Sequence, residues 1–339
     1  STLSSSSAAS DVYKRQYKAS TKSSKGSTKS MGAMIAKLGL GYLAFRTLTG
    51  AIGGAVRVGK EFEKEMSNVA AISGATGLEI QALEANAKEL GRTTVFTASN
   101  VASLQTEFAK LGFTAKEITN VTKATLALAA VARVDLSEAA ATAGVTLRAF
   151  GLESTETGRV TDTMALSFSR SALDMQKFSD SMKFVAPVAS AAGFSVEETT
   201  AVLGTLANAG IDGSLAGTAL RRVFLELQNS SSKLSKRLGG TVTNSAELVE
   251  ALQKLNKEGI DTAEMKELVG MRAVSAFKIL LDGADDVATL TKELDNAGGA
   301  AERMASVQLD NLAGSMTILK SATEGLGIAL FENFEVDIR

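Results

Sequence analysis

Residues 54–60 are the most direct candidate for phosphate chemistry. Gly54, Gly59 and Lys60 fit the first seven positions of a Gly-x-x-x-x-Gly-Lys-Ser/Thr loop, whose backbone amides and lysine hold phosphates. The next position should carry a hydroxyl for magnesium, but Glu61 places a carboxylate where the phosphate would sit. No predicted strand precedes the segment. We therefore favour a Gly-rich helical segment ending in a charged turn over nucleotide binding.

Residues 213–222, with the sequence GSLAGTALRR, form a second candidate. The stretch resembles a loop that enters a helix, and free amides at a helix N-terminus bind anions. The alternative is a packing role, with Gly217 at a close helix crossing and the arginines on the outer face. Arg221 and Arg222 point in different directions on a helix, so at most one of them shares the packed face. We favour packing over anion binding.

Acid–base and metal chemistry have little support in this chain. It contains no His and no Cys, which excludes zinc hydrolases, Ser-His-Asp hydrolases, disulfides and thiolate sites. The adjacent acids Asp285–Asp286 and Glu197–Glu198 point in different directions on a helix and resemble first-turn acids that favour the helix dipole. We predict no catalytic, cofactor or metal site, and hence no enzyme.

The elements that hold these residues are predicted to be helices. The 339 residues include one proline, against roughly 17 from average usage, and only 5% aromatics. Abundant Ala, Leu, Glu and Lys favour helix. We predict an all-α fold: a multi-helix bundle of short Gly-capped helices with a longer helix near each end. The longer stretches are Glu61 to Ser73 with the apolar segment before it, and Ala300 to Phe334.

Helix starts and stops are marked along the chain. A Thr, Ser or Asp followed three residues later by Glu predicts a capping box. Glycines after periodic apolar runs predict helix ends. The predicted boxes are Thr114 with Glu117, Asp135 with Glu138, Ser195 with Glu198, and Asp261 with Glu264. The predicted stops are Gly91, Gly112, Gly151, Gly193, Gly210, Gly259 and Gly283, and Pro187 should kink its helix or end it nearby.

Composition divides the chain into three predicted regions. Residues 1–30 are Ser- and Lys-rich and are expected to be disordered. Residues 1–37 carry seven basic residues against one Asp, a net charge of about +6 that leaves about −7 for the remainder. A basic arm for nucleic acid or lipid is the alternative to a solvated tail. Residues 11–16 resemble translated sequencing-adapter read-through, so we expect this segment to be non-native.

Residues 31–59 form the second region, which is apolar and Gly-rich, and residues 60–334 form the third. Lys37, Arg46 and Arg57 interrupt the apolar run, whereas a membrane span needs about 20 largely uninterrupted apolar residues. Gly50 and Gly54 form a Gly-x-x-x-Gly pair that permits close helix contact. We favour a packed amphipathic helix, and the alternative is a membrane-perturbing effector that inserts residues 31–59.

Several stretches of the third region resemble the conserved core of phage tail tape measure proteins. The resemblance covers about residues 60–332, and the chain departs from it most in residues 230–259, which look like a variable insertion. The distinctive stretch contains Gly213, Ser214, Gly217, Thr218, Leu220 and Arg221, to which we assign a structural role. The other matching stretches are 62–69 with 72–76, 87–94, 150–152, 184–189, 206–211, 310–316 and 322–328.

The resemblance implies a structural virion protein that sets tail length during assembly and helps the genome enter the cell. It implies that the protein lies in the tail lumen, after assembly in the host cytoplasm. Other copies of itself, the tail tube protein, tail assembly chaperones and tail tip proteins are the implied partners, with a late membrane contact and no specific nucleic-acid site. Family members are usually much longer, so we expect this chain to be an amino-terminal or central piece. Because glycine caps interrupt its helices, we expect a bundle rather than a straight ruler.

Overall fold

The computed structural model describes the backbone of residues 41–338 and the side chains of residues 53–332. Predictions for residues 1–30, and for 31–40 of the apolar segment, lie outside this range. The described chain is all-α and has no strand, as predicted. Its α-helices are α1 (Gly41–Ser73), α2 (Leu78–Thr93), α3 (Ala98–Lys110), α4 (Ala115–Ala132), α5 (Leu136–Phe150), α6 (Thr157–Arg170), α7 (Met175–Ala191), α8 (Val196–Asn208), α9 (Gly213–Gln228), α10 (Lys233–Leu238), α11 (Ser245–Glu258), α12 (Thr262–Val269), α13 (Val274–Asp282), α14 (Ala284–Asp295), α15 (Ala300–Leu309) and α16 (Leu312–Ile338). Short 3-10 helices lie at Ser154–Glu156 and Met271–Ala273.

Two of the predicted capping boxes are complete. Thr114 and Ser195 each accept a hydrogen bond from the third helical amide, and the Glu at that position accepts one back from the cap amide. The Asp261 side chain accepts from the Glu264 amide, without the return bond. The box at Asp135 is wrong: its backbone has cap geometry, but its exposed carboxylate makes no cap hydrogen bond.

One capping box was missed because its third residue is an asparagine. Thr97 accepts from the Asn100 amide, and the Asn100 side-chain oxygen accepts from the Thr97 amide. The predicted boxes all have Glu at that position, but the amide oxygen of asparagine accepts the same hydrogen bond. Single side-chain caps also begin helices at Asp174, Ser232 and Asn244.

Most of the predicted glycine stops are confirmed. Glycines with a positive φ angle end helices or directly follow them at Gly112, Gly151, Gly193, Gly210 and Gly259. Gly283 also ends its helix, but with a φ of −100°. The stop at Gly91 is wrong, because α2 continues to Thr93. A side chain at Gly91 would place its Cβ 2.6 Å from the Ala98 Cα, so this glycine permits the close approach of α2 and α3.

Two corners of the fold repeat the same hydrogen-bond pattern. At the end of α3 the Phe113 amide donates to the Phe108 carbonyl, and the Gly112 amide donates to the Ala109 carbonyl. The corner at Gly193–Phe194 after α7 has the same two bonds, from Phe194 to Ala189 and from Gly193 to Ser190. Each is a Schellman helix end followed directly by a capping box. The recurring Gly-Phe-Thr/Ser sequence thus encodes a tight helix–helix corner.

Residues 60–326 form one compact unit. In it α9 packs most extensively on α7, and further neighbours are α8 with α14, α2 with α3, and α4 with α6. Fully buried side chains include Phe108, Phe178, Phe224 and Phe277. Residues 230–259, which were predicted to be a variable insertion, are also packed: Leu248, Leu252 and Leu255 of α11 are buried. Pro187 lies inside α7, which ends four residues later at Ala191.

The long C-terminal helix is interrupted, unlike the predicted stretch from Ala300 to Phe334. α15 ends at Leu309, and α16 begins at Leu312. The side-chain oxygen of Asn311 accepts from the Gly314 amide at 2.9 Å, which is the geometry of a helix N-cap. The Asp-Asn pair therefore starts a new helix. The two longest helices, α1 and α16, still lie nearest the two ends of the described chain.

The second compact unit contains the described residues 41–59 and 327–338. Its described core includes Ala55, Ile328 and Phe331, all buried. Gly59 faces the Phe331 ring so closely that any side chain at that position would overlap it. The absence of a side chain at Gly59 on α1 thus leaves room for the ring of Phe331 on α16.

The caps support a first prediction. We expect Ser195→Ala and Asp261→Ala each to lower the free energy of unfolding by about 0.5–2 kcal/mol, the usual cost of a lost N-cap. Asp135→Ala is the matched control, because its carboxylate makes no cap hydrogen bond, and it should leave stability unchanged. Chemical denaturation of the three variants measures this. Equal effects at all three positions would show that the cap bonds carry no stability.

Candidate functional site

The stretch 213–222 forms the first part of α9 at its crossing with α7. Gly217 is buried directly against the α7 backbone at Ser181. A Cβ added to Gly217 would lie 2.8 Å from the Ser181 Cα and closer still to its carbonyl oxygen. Because the atoms it meets belong to the backbone of another helix, they cannot rotate away. Glycine therefore permits this crossing distance.

The start of α9 is also fixed to α7. Gly213 has a φ of +54°, a conformation that strains residues with side chains. Its carbonyl accepts a hydrogen bond from the Ser181 hydroxyl at 2.8 Å. The carboxylate of Asp212, the N-cap residue, pairs with Lys177 at 3.0 Å. A carboxylate beside the first turn disfavours a bound anion there by charge repulsion.

The rest of the stretch divides between a buried and an exposed face. Ala216, Ala219 and Leu220 are buried. The exposed positions are Ser214, Leu215, Thr218, Arg221 and Arg222. Arg222 pairs with Glu226 on its own helix at 2.6 Å. The structure thus places Gly217 and Leu220 in the crossing and both arginines on the outer face.

The outer face of α9 borders a cleft of about 450 Å³. The turn after α12, where Gly270 and the 3-10 helix Met271–Ala273 lie, forms its other wall. Arg221, Arg222 and Arg272 line this cleft together with apolar side chains, among them Leu225 and Met271. Nothing in the sequence pattern pointed to residues 269–272, since about fifty residues separate them from Arg221 and Arg222.

The other sequence candidates take structural positions. Residues 54–60 lie within α1, so their amides belong to a continuous helix and not to a phosphate-holding loop. Asp285 and Asp286 lie in the first turn of α14, as predicted. Glu197 and Glu198 lie in the first turn of α8.

Glu197 and Glu198 bind different partners. The buried Glu197 carboxylate receives two hydrogen bonds of 2.8 Å from Arg159 and one of 3.2 Å from the Thr163 hydroxyl. Glu198 accepts from the Ser195 amide at 2.8 Å and from the Ser245 amide at 2.7 Å. It therefore closes its own capping box and also holds the first residue of α11. The two acids act as separate structural anchors.

A buried carboxylate that the sequence did not reveal belongs to Asp162 on α6. Its two oxygens accept from the Gly299 amide at 2.7 Å and from the Ala301 amide at 2.8 Å. These amides lie at the N-terminus of α15, so Asp162 caps a helix far away in the sequence. The dipole of α15 also favours the negative charge. No local pattern links residues 162 and 299.

The capping box at Thr114 has an electrostatic signature. The Thr114 amide donates to Glu117 at 2.8 Å, and Arg148 lies 3.7 Å from the same carboxylate. The amide, with further contributions from the Thr114 hydroxyl and Arg148, lowers the pKa of Glu117 below its ordinary 4.5, although partial burial opposes the shift. The ionised form of Glu117 therefore stabilises the folded state.

This lowered pKa gives a prediction with a defined sign. The contribution of ionised Glu117 is complete above pH 4.5 and is lost as the pH falls through the lower folded-state pKa. Glu117→Gln keeps an acceptor but removes the charge. We expect it to lower the free energy of unfolding at neutral pH by about 0.3–1 kcal/mol, and the difference to vanish in acid. Denaturation at both pH values checks this, and a difference that persists in acid would contradict it.

Metal-site and membrane-span features are both absent from the described residues. No group of three or more carboxylates is arranged to hold a metal ion within that part of the chain. None of the described helices is long and apolar enough to span a membrane.

Residues 60–326 form a domain of packed helices, in which buried carboxylates cap helices or bind residues of neighbouring helices. Comparison with known proteins identifies the class. A model of phage-related minor tail proteins matches residues 84–302, and the chain belongs to this family. The resemblance to phage tail tape measure proteins predicted from the sequence is confirmed.

Two relatives are named as a tape measure protein and a probable tape measure protein. The tape measure protein of Pneumococcus phage Dp-1 is 32% identical over 90% of this chain and 28% of its own length. The probable tape measure protein of Escherichia phage P2 is 30% identical over 97% of this chain and 42% of its own length. This chain thus spans less than half the length of either relative. No solved structure matches it.

Proposed function

We propose that this chain is the folded structural part of a phage tail tape measure protein, and that it has no enzymatic activity. The observation that carries the proposal is the identity of about a third with two proteins of that name over nine-tenths or more of this chain. The packed crossing at Gly217 and the helix caps support a structural role, because they fix the positions of the helices. The polar side chains of these caps are already hydrogen-bonded to helix amides.

The fold favours a module that anchors the protein over one that measures length. The longest described helix has 33 residues, which corresponds to about 50 Å at 1.5 Å per residue. The following helices are much shorter and pack on one another. We therefore place the length-setting helical region outside residues 60–326. The same proposal includes assembly in the host cytoplasm, a final position in the tail lumen and a part in genome delivery.

The partners under this proposal are other copies of the protein, the tail tube protein, tail assembly chaperones and tail tip proteins. A specific nucleic-acid site is not part of it. We do not propose a membrane-perturbing function for residues 31–59, because no observation on the described residues favours it. The contact with the cell membrane during genome delivery remains part of the proposal.

Tail length in electron micrographs tests the proposal. In a phage that encodes the full-length protein, an in-frame duplication of a helical segment outside this chain should lengthen the tail by about 1.5 Å per added residue. A Gly-Ser insertion of equal length between the exposed Gly239 and Gly240 is the matched control, and it should leave tail length unchanged. If neither insertion changed tail length, the proposed function would be wrong. Equal lengthening by both would show that the folded part itself measures length.

A further inference from the structure

The cleft beside α9 has an uncompensated positive charge. Three arginines line it, and Arg222 forms an ion pair with Glu226. Arg221 and Arg272 are exposed and form no ion pair within the residues that the structure describes. Two guanidinium groups therefore face one cleft with all their donors open to a ligand. Guanidinium groups bind carboxylates and phosphates with paired hydrogen bonds.

Exposed apolar side chains flank these arginines at helical spacing. Leu215, Thr218, Arg222 and Leu225 follow one another at three- and four-residue intervals, so they lie on one face of α9. Leu215 is 62% exposed and Leu225 is 45% exposed, and Met271 on the opposite wall is 66% exposed. Between the walls, the buried Ala219 and Val269 form an apolar floor. A small anion would leave this apolar surface in water.

We propose that this cleft, defined by Arg221, Arg272, Leu225 and Met271, binds an acidic amphipathic helix of a protein partner. The carboxylates of that helix would pair with Arg221 and Arg272. Its apolar residues would cover Leu225 and Met271 in the way that amphipathic helices fill apolar grooves. A nucleic acid fits less well, because none of the residues lining the cleft is an aromatic that could stack on a base.

The proposal deepens the proposed function, since it names the kind of tail partner that the distinctive stretch contacts. It also separates the two halves of that stretch. Gly217 and Leu220 hold α9 on α7, whereas Arg221 is exposed and lines the cleft, where a partner can reach it. Loss of the arginine contacts should therefore leave the packing of α9 on α7 intact.

Fluorescence anisotropy with a defined probe tests this inference. The probe is a short fluorescein-labelled helical peptide of Ala, Leu and Glu, with leucines three and four residues apart. The control peptide has Gln in place of every Glu. The full chain should bind the Glu peptide and bind the Gln peptide much more weakly. We expect Arg221→Ala and Arg272→Ala each to weaken binding about tenfold, as for a lost charge-assisted hydrogen bond.

Two matched variants complete the test. Arg170→Ala removes the same charge from an exposed arginine that pairs with Glu293 elsewhere in the fold, and it should leave binding unchanged. Leu225→Ser should weaken binding without any change in charge. All these positions are exposed, so circular dichroism should show an unchanged fold.

Four results would overturn the inference: no binding of the Glu peptide, equal binding of the Gln peptide, complete displacement by millimolar inorganic phosphate, or tighter binding of a DNA duplex that depends on Arg221. The second would show an apolar groove without charge recognition, the third a simple anion site, and the fourth a nucleic-acid surface. Peptide binding is measured without tails. Its failure therefore leaves the tail-length result untouched, and failure of the length experiment leaves peptide binding untouched.

Discussion

Replacement of Gly217 by leucine is expected to prevent stable packing of α9 on α7. Even the first carbon of the new side chain would lie within 3 Å of three backbone atoms of Ser181. Forcing extra carbons into a packed contact typically costs about 1–3 kcal/mol, and the leucine adds four. Because the obstruction is helix backbone, the two helices must separate and expose the buried Leu220 and its neighbours.

Gly217→Ala tests the same contact with a single carbon. Alanine favours a helix over glycine by about 1 kcal/mol, so an exposed helical glycine would gain stability from the change. At Gly217 we expect a net loss, since the Cβ meets backbone. Gly158→Ala on α6 is the matched control, because nothing lies within 4 Å of a Cβ at that position, and it should be neutral or stabilising.

Chemical denaturation of the purified variants gives the order of stabilities. We expect Gly158→Ala to equal or exceed the parent, Gly217→Ala to fall below it, and Gly217→Leu to be lowest or unfolded. Arg222→Ala should leave the fold intact, because that side chain is exposed and pairs only on its own helix. A Gly217→Ala variant as stable as Gly158→Ala would contradict the close crossing.

The second large effect is expected at Asp162. Asp162→Ala leaves the Gly299 and Ala301 amides without their acceptor, and the bond to Ala301 is buried. An unsatisfied buried donor costs about 1–3 kcal/mol, so the loss should exceed that of an exposed cap such as Asp261. Asp162→Asn keeps the shape and one acceptor oxygen, and it should lie between Asp162→Ala and the parent.

Hydrogen exchange locates the effect of Asp162→Ala in the structure. The amides of the first turn of α15 should exchange faster in the variant, whereas those of α9 should keep their protection. Uniformly faster exchange would show that Asp162 supports the whole fold. Unchanged exchange at α15 would contradict its role as the cap of that helix.

The local features of this fold were readable from the sequence. Capping boxes and glycine ends depend on residues three to five positions apart, and so Thr114, Ser195 and most glycine stops were predicted correctly. The predicted capping box at Asp135 was wrong. This residue has the backbone conformation of an N-cap, but its carboxylate lies in solvent. The predicted helix end at Gly91 was wrong, because a glycine can also lie within a helix where it permits close contact with another helix.

The long-range features were not readable in this way. Asp162 reaches Gly299 only because α6 and α15 pack together, and residue types alone do not specify such a pairing. The cleft beside α9 needs Arg272 from a turn about fifty residues away. The pattern at Gly217 did predict a close crossing, but its partner, Ser181, is known only from the packed helices.

We propose that residues 60–326 form a packed module on which tail assembly depends. Electron micrographs of a phage whose tail gene carries Gly217→Leu test it most directly, with Gly158→Ala as the control. We expect missing or aberrant tails for Gly217→Leu and normal tails for the control. Full-length tails in normal number for Gly217→Leu, with failure only at genome delivery, would contradict the packing role and indicate a late-acting site instead.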